Sequence, residues 1–262
     1  MAGIYLMVLI DTHSHIYLPE FANEVNQVIE RSRKAGVLKI FLPNIDSTSV
    51  LHMLNLEAKY PGTCYSVMGV HPTSVKENYR EELRHAETWL LKRKFFGIGE
   101  TGIDLYWDTA FKNEQIEVFE QHVVWAKQLR LPLIIHSRSS IPLLLEIIRP
   151  YVSEDLKGIF HCFTGSYEEA KQALNMGFLL GIGGIVTYKN GGMDVLVRKI
   201  GISRVVLETD APFLPPVPFR GKRNEPSYLP IIAAKVAELL NISAEEVALV
   251  TTENARKLFN FE

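Results

Sequence analysis

The 262-residue chain holds only two cysteines, Cys64 and Cys162. That excludes a secreted scaffold stapled by disulfides and points to a reducing, cytoplasmic setting. No apolar run approaches the ~20 residues a membrane-spanning helix needs, so no membrane role is expected. Basic residues are not in excess, since 28 Lys and Arg stand against 30 Asp and Glu, for a formal charge of −2. The broad basic face of a protein that wraps duplex DNA is therefore missing, and a nucleic-acid substrate would meet a local site. Internal repeats and low-complexity tracts are missing too. The opening MAGIYLMVLI is apolar but has no basic lead and no small-residue cleavage site, so it reads as a first strand rather than a signal peptide. Met7 offers an alternative start, which would leave residues 1 to 6 as an extension.

What remains is globular composition, 47% hydrophobic and 22% charged, at a length close to the roughly 250 residues of an α/β barrel. Short apolar runs recur at Leu6–Ile10, Leu38–Leu42, Cys64–Val70, Phe95–Gly99, Pro132–His136, Gly158–Phe160, Phe178–Ile182 and Arg204–Leu207. They are near-continuous rather than alternating, as strands buried on both faces are. Helical spacing fills the intervals. Val25, Val28 and Ile29 precede the stop Ala35-Gly36, and Ser47 to Tyr60 ends at Pro61-Gly62. Glu81–Lys92, Asn113–Leu129, Ile141–Ile148, Tyr167–Met176, Met193–Ile200 and Tyr228–Leu240 follow, and two short helices, Ala244–Val250 and Glu253–Phe259, close the chain. Eight strand–helix pairs predict one (β/α)8 TIM barrel over residues 1–262, with a short helical C-terminal extension. An open doubly wound sheet is the alternative.

In such barrels chemistry sits at the C-terminal ends of the strands. Five of the eight histidines fall there: His13 and His15 after strand one, His71 after strand three, His136 after strand five and His161 after strand six. His52, His85 and His122 lie in helical stretches and read as surface or satisfied core residues. Two residues apart on a strand, His13 and His15 share a face and can grip one metal. Glu100, after strand four, lies between Gly99 and Gly102, where a tight turn brings a carboxylate inward. Its two oxygens can bridge two cations. A helix cap or an arginine partner is the plainer role. Asp210, after strand eight, can ligate a metal and accept a proton from water, or merely cap the turn before Pro212. Arg138 shares the His136 face and suits a phosphate oxygen or a structural carboxylate. Arg220, Lys222 and Arg223 form either a phosphate-contacting loop or a solvated charge cluster. Cys162 reads as an inert thiol facing away from its histidine neighbour, and neither Ser14 nor Ser137 has the base a nucleophile needs.

The strings DTHSH, GVHP, GIGETGID, LPLIIHSR, GIFHCFTG, ETDAPFLPP and RGKRNEP, in this order over nearly the whole chain, resemble the TatD family of metal-dependent deoxyribonucleases. The resemblance implies a barrel hydrolase that cuts phosphodiester bonds of DNA, as a 3′-end exonuclease on single strands, through a metal-activated water. It implies one or two divalent metals, with His13 and His15 on the first, Glu100 as bridge, His136 and His161 on the second, and Asp210 as a further ligand. His71, Arg138 and Glu208 match positions near the substrate or behind the ligands, and Arg220 and Arg223 fall in the RGKRNEP string. Four histidines favour zinc, manganese or iron on ligand grounds, whereas the family is usually assayed with magnesium. No obligate protein partner is expected. One departure is visible: the family often continues its first motif as His-Leu-Asp, and here His15-Ile16-Tyr17 stands instead. The same metal site could also hydrolyse a C–N, ester or lactone bond. Barrels of that branch often carry a lysine where Glu100 stands, which favours the phosphodiesterase. A barrel kept only for binding would have lost ligands, and all six candidates are filled.

Overall fold

The computed structural model describes residues 7–189 and 191–261. Leu6, the expected start of the first strand, lies outside them. Among the described residues the strands are β1 (Leu9–Asp11), β2 (Val37–Pro43), β3 (Cys64–Val67), β4 (Ile98–Asp104), β5 (Leu133–Arg138), β6 (Gly158–Phe160), β7 (Leu179–Ile182) and β8 (Val205–Leu207). The α-helices are α1 (Val25–Lys34), α2 (Val50–Lys59), α3 (Tyr79–Lys92), α4 (Lys112–Leu129), α5 (Ile141–Ile148), α6 (Tyr167–Asn175), α7 (Met193–Ile200), α8 (Leu229–Leu240) and α9 (Ala244–Phe259).

Every paired strand is parallel to its neighbour in chain order, β1-β2-β3 and then β4 through β8. Isolated bridges join the two groups, Met68 with Ile98 on one side and Ser14 with Ala211 on the other. Backbone hydrogen bonds support both seams: Met68 N donates to Gly97 O (3.1 Å), Thr12 N to Leu207 O (3.1 Å) and Asp210 N to His13 O (2.9 Å). The strands thus run round to meet each other, the arrangement of a TIM barrel.

The pleat sorts the apolar side chains into two layers. Ile10, Phe41, Val67, Ile134, Ile159 and Val206 belong to one cluster, to which every strand but β4 adds a residue. Their chain neighbours Ile40, Leu42, Leu133, Ile135, Phe160 and Leu207 belong to the larger cluster shared with the helices. Side chains alternate across a strand, so the smaller cluster fills the barrel and the larger one lies under the helix ring. Phe259 of α9 stacks on Phe41 with centroids 3.7 Å apart, so the last helix plugs the barrel end from which the strands start. Open access is left at the other end.

Most boundaries shift by one to three residues from the sequence reading, and three of the differences bear on the architecture. The two short C-terminal helices are one: Thr251 donates its hydroxyl to Val247 O (2.8 Å), so the helix passes through the Thr-Thr pair where a break was expected. The second helix starts at Val50 rather than Ser47, because residues 46–49 form a turn in which Ser49 Oγ donates to Asn44 Oδ1 (2.8 Å). Finally, β4 runs on to Asp104, so Glu100 sits inside the strand and not beyond it. Glycines make that possible. A Cβ on Gly99 would stand 2.6 Å from Ile134 O, and one on Gly102 2.0 Å from His136 O; both residues also have φ above +140°. Only glycine lets β4 press this close to β5 while carrying Glu100 inward.

Candidate metal centre

Glu100 from within β4, His136 from within β5, and His13, His15, His161 and Asp210 from the turns after β1, β6 and β8 come together at the open end of the barrel. All of them but the fully buried His13 border a cavity of about 440 Å³, with His71, Asp104, Trp107 and Arg138 on its wall. Glu100 is 2% exposed and its two oxygens face different partners. Oε2 lies 3.0 Å from His13 Nε2 and 3.3 Å from His15 Nε2. Oε1 lies 2.9 Å from His136 Nδ1 and 3.1 Å from His161 Nε2. Asp210 Oδ1 completes the first group, 3.8 Å and 3.7 Å from the same nitrogens of His13 and His15.

Contacts on the far side of the His15 and His136 rings decide which nitrogen holds the proton. The Tyr17 hydroxyl donates to Pro43 O, so its proton is committed. His15 Nδ1, 2.9 Å from that hydroxyl and 3.1 Å from Pro43 O, must then donate, which leaves the Nε2 lone pair facing the cavity. His136 Nε2 lies 3.0 Å from Asp104 Oδ2, leaving Nδ1 free. His161 Nδ1 faces Glu208 Oε1 at 3.3 Å, a charge contact without hydrogen-bond geometry. An outer carboxylate or carbonyl that fixes the tautomer is the usual backing of a metal-binding histidine. On the inner side His13 Nε2 and His15 Nε2 face each other at 3.1 Å. Such a donor set fits a divalent cation on either side of Glu100. His71 differs. Its Nδ1 accepts from Thr73 N (3.2 Å), so Nε2 carries the proton and points as a donor toward His136.

Electrostatics follow from the same packing. Burial opposes ionisation of Glu100, yet the imidazoles of His13, His71 and His161 hold it well below the usual carboxylate range. Burial pushes Asp210 up to about 6, against the pull of His161 and His15. Burial, with His161 beside it, holds His13 well below the ordinary histidine value. Burial works against protonation of His161 as well, but Glu100 and Glu208 raise it. Burial also drives the Cys162 thiol well above its ordinary value, consistent with an inert sulfur. Cys162 lies past the end of β6 with a positive φ, so strand alternation does not orient it.

The remaining expected residues divide. Glu208 is fully buried and accepts the Cys162 backbone N–H, so it backs His161 rather than facing the cavity. Gly181 makes room for it, since a Cβ there would sit 2.3 Å from Glu208 Oε2. Arg138 pairs with no carboxylate among the described residues; its guanidinium lies over Tyr106 (4.1 Å) and Trp107 (5.3 Å). Arg223 is not presented to the cavity. It pairs with Glu24 (2.6 Å) and lies over the Phe21 ring (4.3 Å), tying its loop to the start of α1. Arg220 stacks on Tyr188 (4.5 Å), beside a separate cavity.

Three supporting residues escaped the sequence reading. Asp104 backs His136. Asp11, fully buried, accepts from Thr209 N (2.9 Å) and from His13 N (3.3 Å), which ties the His13 turn to the Asp210 turn. Asn224 donates to Thr209 O (2.7 Å) and Phe213 O (2.6 Å), pinning the loop beyond β8. All three lie in the quoted strings, but nothing in spacing distinguishes a backing carboxylate from a solvated one.

A TIM barrel whose strand ends converge on imidazoles and a shared carboxylate defines a metal-dependent hydrolase. Comparison with known proteins names the branch: residues 10–260 match the model of the TatD-related DNase family, and the chain belongs to that family. It is 38% identical to YabD, a metal-dependent hydrolase of Bacillus subtilis, over 96% of this chain and 99% of that one. It is 32% identical to the 3′-5′ ssDNA/RNA exonuclease TatD of Yersinia pseudotuberculosis, over 92% and 95% of the two chains. The crystal structure of YjjV, a TatD homologue from Escherichia coli, superposes with a TM-score of 0.92 at 28% identity, covering 98% of this chain and all of that one.

Proposed function

We propose that the chain, acting as one barrel domain, is a metal-dependent phosphodiesterase that removes nucleotides from the 3′ ends of single-stranded DNA. The observation that carries this reading is Glu100, one oxygen turned to His13 and His15 and the other to His136 and His161. A shared carboxylate between two histidine sets suits a pair of divalent cations, which when bound supply Lewis acidity and lower the pKa of water. His13, His15 and Asp210 would hold a cation at the first position, His136 and His161 one at the second. Asp210 borders the cavity and takes the proton of the attacking water. His71 Nε2–H and the Arg138 guanidinium are donors on the same wall, and they bind the non-bridging oxygens of a phosphate. The Yersinia relative's name supports a nucleic-acid substrate.

The test is hydrolysis of 3′- and 5′-labelled single-stranded DNA with magnesium, manganese or zinc, with EDTA and a His13→Ala/His15→Ala variant as controls. Cleavage that needs metal and disappears in the variant supports the reading, and the fragment ladder gives direction. A metal-loaded protein that leaves every labelled strand intact contradicts it.

A further inference from the structure

Trp107 lines the cavity and Tyr106 packs beside it, and metal chemistry requires neither ring. Tyr106 is 58% and Trp107 69% exposed, although rings of this size are normally buried. They are not loose. Asp104 Oδ1 accepts both backbone N–H groups, Tyr106 at 2.9 Å and Trp107 at 3.1 Å, while its other oxygen holds His136. One carboxylate therefore fixes the aromatic pair and a metal-side histidine in the same frame. The two rings meet edge to face, with centroids 5.0 Å apart, and Arg138 lies over both. Across the cavity stands Phe213, 49% exposed, its ring 6.3 Å from that of His15.

We propose that Tyr106 and Trp107 form a stacking subsite for a nucleobase, with Arg138 between that base and its phosphate. This rests on the phosphodiesterase reading and adds to it the part of the substrate that is recognised. A base has a π-face that an exposed indole or phenol can cover, and the guanidinium stacked on those rings keeps its donor edge for an anion. A stack of this kind needs an unpaired base, so the subsite selects single strands over duplex. It reads ring faces and not edges, so sequence preference is weak.

The experiment compares two octamers with identical phosphates, oligo-dT and an abasic tetrahydrofuran strand, each labelled at either end. Wild-type protein is expected to favour oligo-dT in kcat/KM by about 5- to 100-fold, mainly through KM, the range of one base–aromatic stack. In Trp107→Ala that preference shrinks to about twofold or less, and Tyr106→Ala shrinks it in part. Quenching of tryptophan fluorescence by oligo-dT in EDTA, where nothing is cleaved, reads the same stack as binding. It is expected in wild type and lost in Trp107→Ala, although Trp89 and Trp125 remain. Equal cleavage of both strands by wild type, or a preference that survives Trp107→Ala, overturns the subsite and leaves the phosphodiesterase reading standing. If wild type with metal cleaves neither strand, the phosphodiesterase reading falls and takes the subsite with it.

Discussion

Asp104 Oδ2 lies 3.0 Å from Nε2 of His136, on the side of the ring turned away from Glu100. His136 and two backbone N–H groups hold this carboxylate at about 2 although burial opposes its ionisation, so it stays charged at neutral pH. Its effect is to keep the proton on Nε2 and the lone pair on Nδ1, where a cation would sit.

Replacing Asp104 with Asn should therefore weaken metal binding without removing a ligand. An amide can rotate to offer either a donor or an acceptor, so the tautomer of His136 is no longer fixed. Metal affinity at the position shared by His136 and His161 should fall about 10- to 100-fold. Calorimetric titration of the chelated protein measures it, with circular dichroism to confirm the fold. An unchanged affinity would show that Asp104 serves only the loop of Tyr106 and Trp107.

Arg138 and Arg223 should separate in kinetics. Arg138→Ala removes an unpaired guanidinium from the cavity wall and should raise KM for single-stranded DNA about tenfold or more. Arg223→Ala breaks a part-exposed pair with Glu24, worth about 0–1 kcal/mol, and should leave KM nearly unchanged. A large KM rise in Arg223→Ala would return that residue to the substrate.

Acid should destabilise the fold partly through His122. This histidine is fully buried, with Nδ1 donating to Val118 O (2.7 Å) and Nε2 accepting from Val70 N (3.1 Å). Burial lowers it from 6.5 to about 4. The unfolded chain binds that proton first, so stability is intact above about pH 6.5 and falls as the pH drops toward 4, by roughly 2–3 kcal/mol. Thermal unfolding from pH 7 to 4 should be less steep in His122→Gln, which starts lower but has no such proton to gain. Equal slopes would place the acid sensitivity elsewhere.

Asn224→Ala should cost about 1–3 kcal/mol, since it leaves the carbonyls of Thr209 and Phe213 without their donor. Because those carbonyls belong to the Asp210 loop, kcat should fall as well. Chemical denaturation with single-turnover kinetics checks both, and a loss of stability alone would confine Asn224 to the fold.

The sequence was most readable where chemistry and topology coincide. Strand ends place residues at one mouth of a barrel, so His13, His15, His136 and His161 could be grouped before any distance was known. Glu100 was placed at the mouth as a residue following the fourth strand, but its position within β4 depends on how closely β4 approaches β5, which no spacing reveals. Arg223 shows the opposite failure. In sequence it belongs to a basic cluster, but in space Glu24, 199 residues away, neutralises it. Asp104 and Asn224 were hidden because backing a ligand or a loop leaves no periodic trace. Trp107 was hidden because an exposed aromatic and a core aromatic look alike in a list of residues.

The most direct test of the metal-centred phosphodiesterase is to strip the protein with chelator and titrate a divalent metal back while following cleavage of oligo-dT. Cleavage should be absent at zero metal and rise with occupancy, and Glu100→Gln should bind less metal and stay inactive throughout. Full cleavage by the stripped protein, or none by a protein shown to hold its metal, would contradict the central claim.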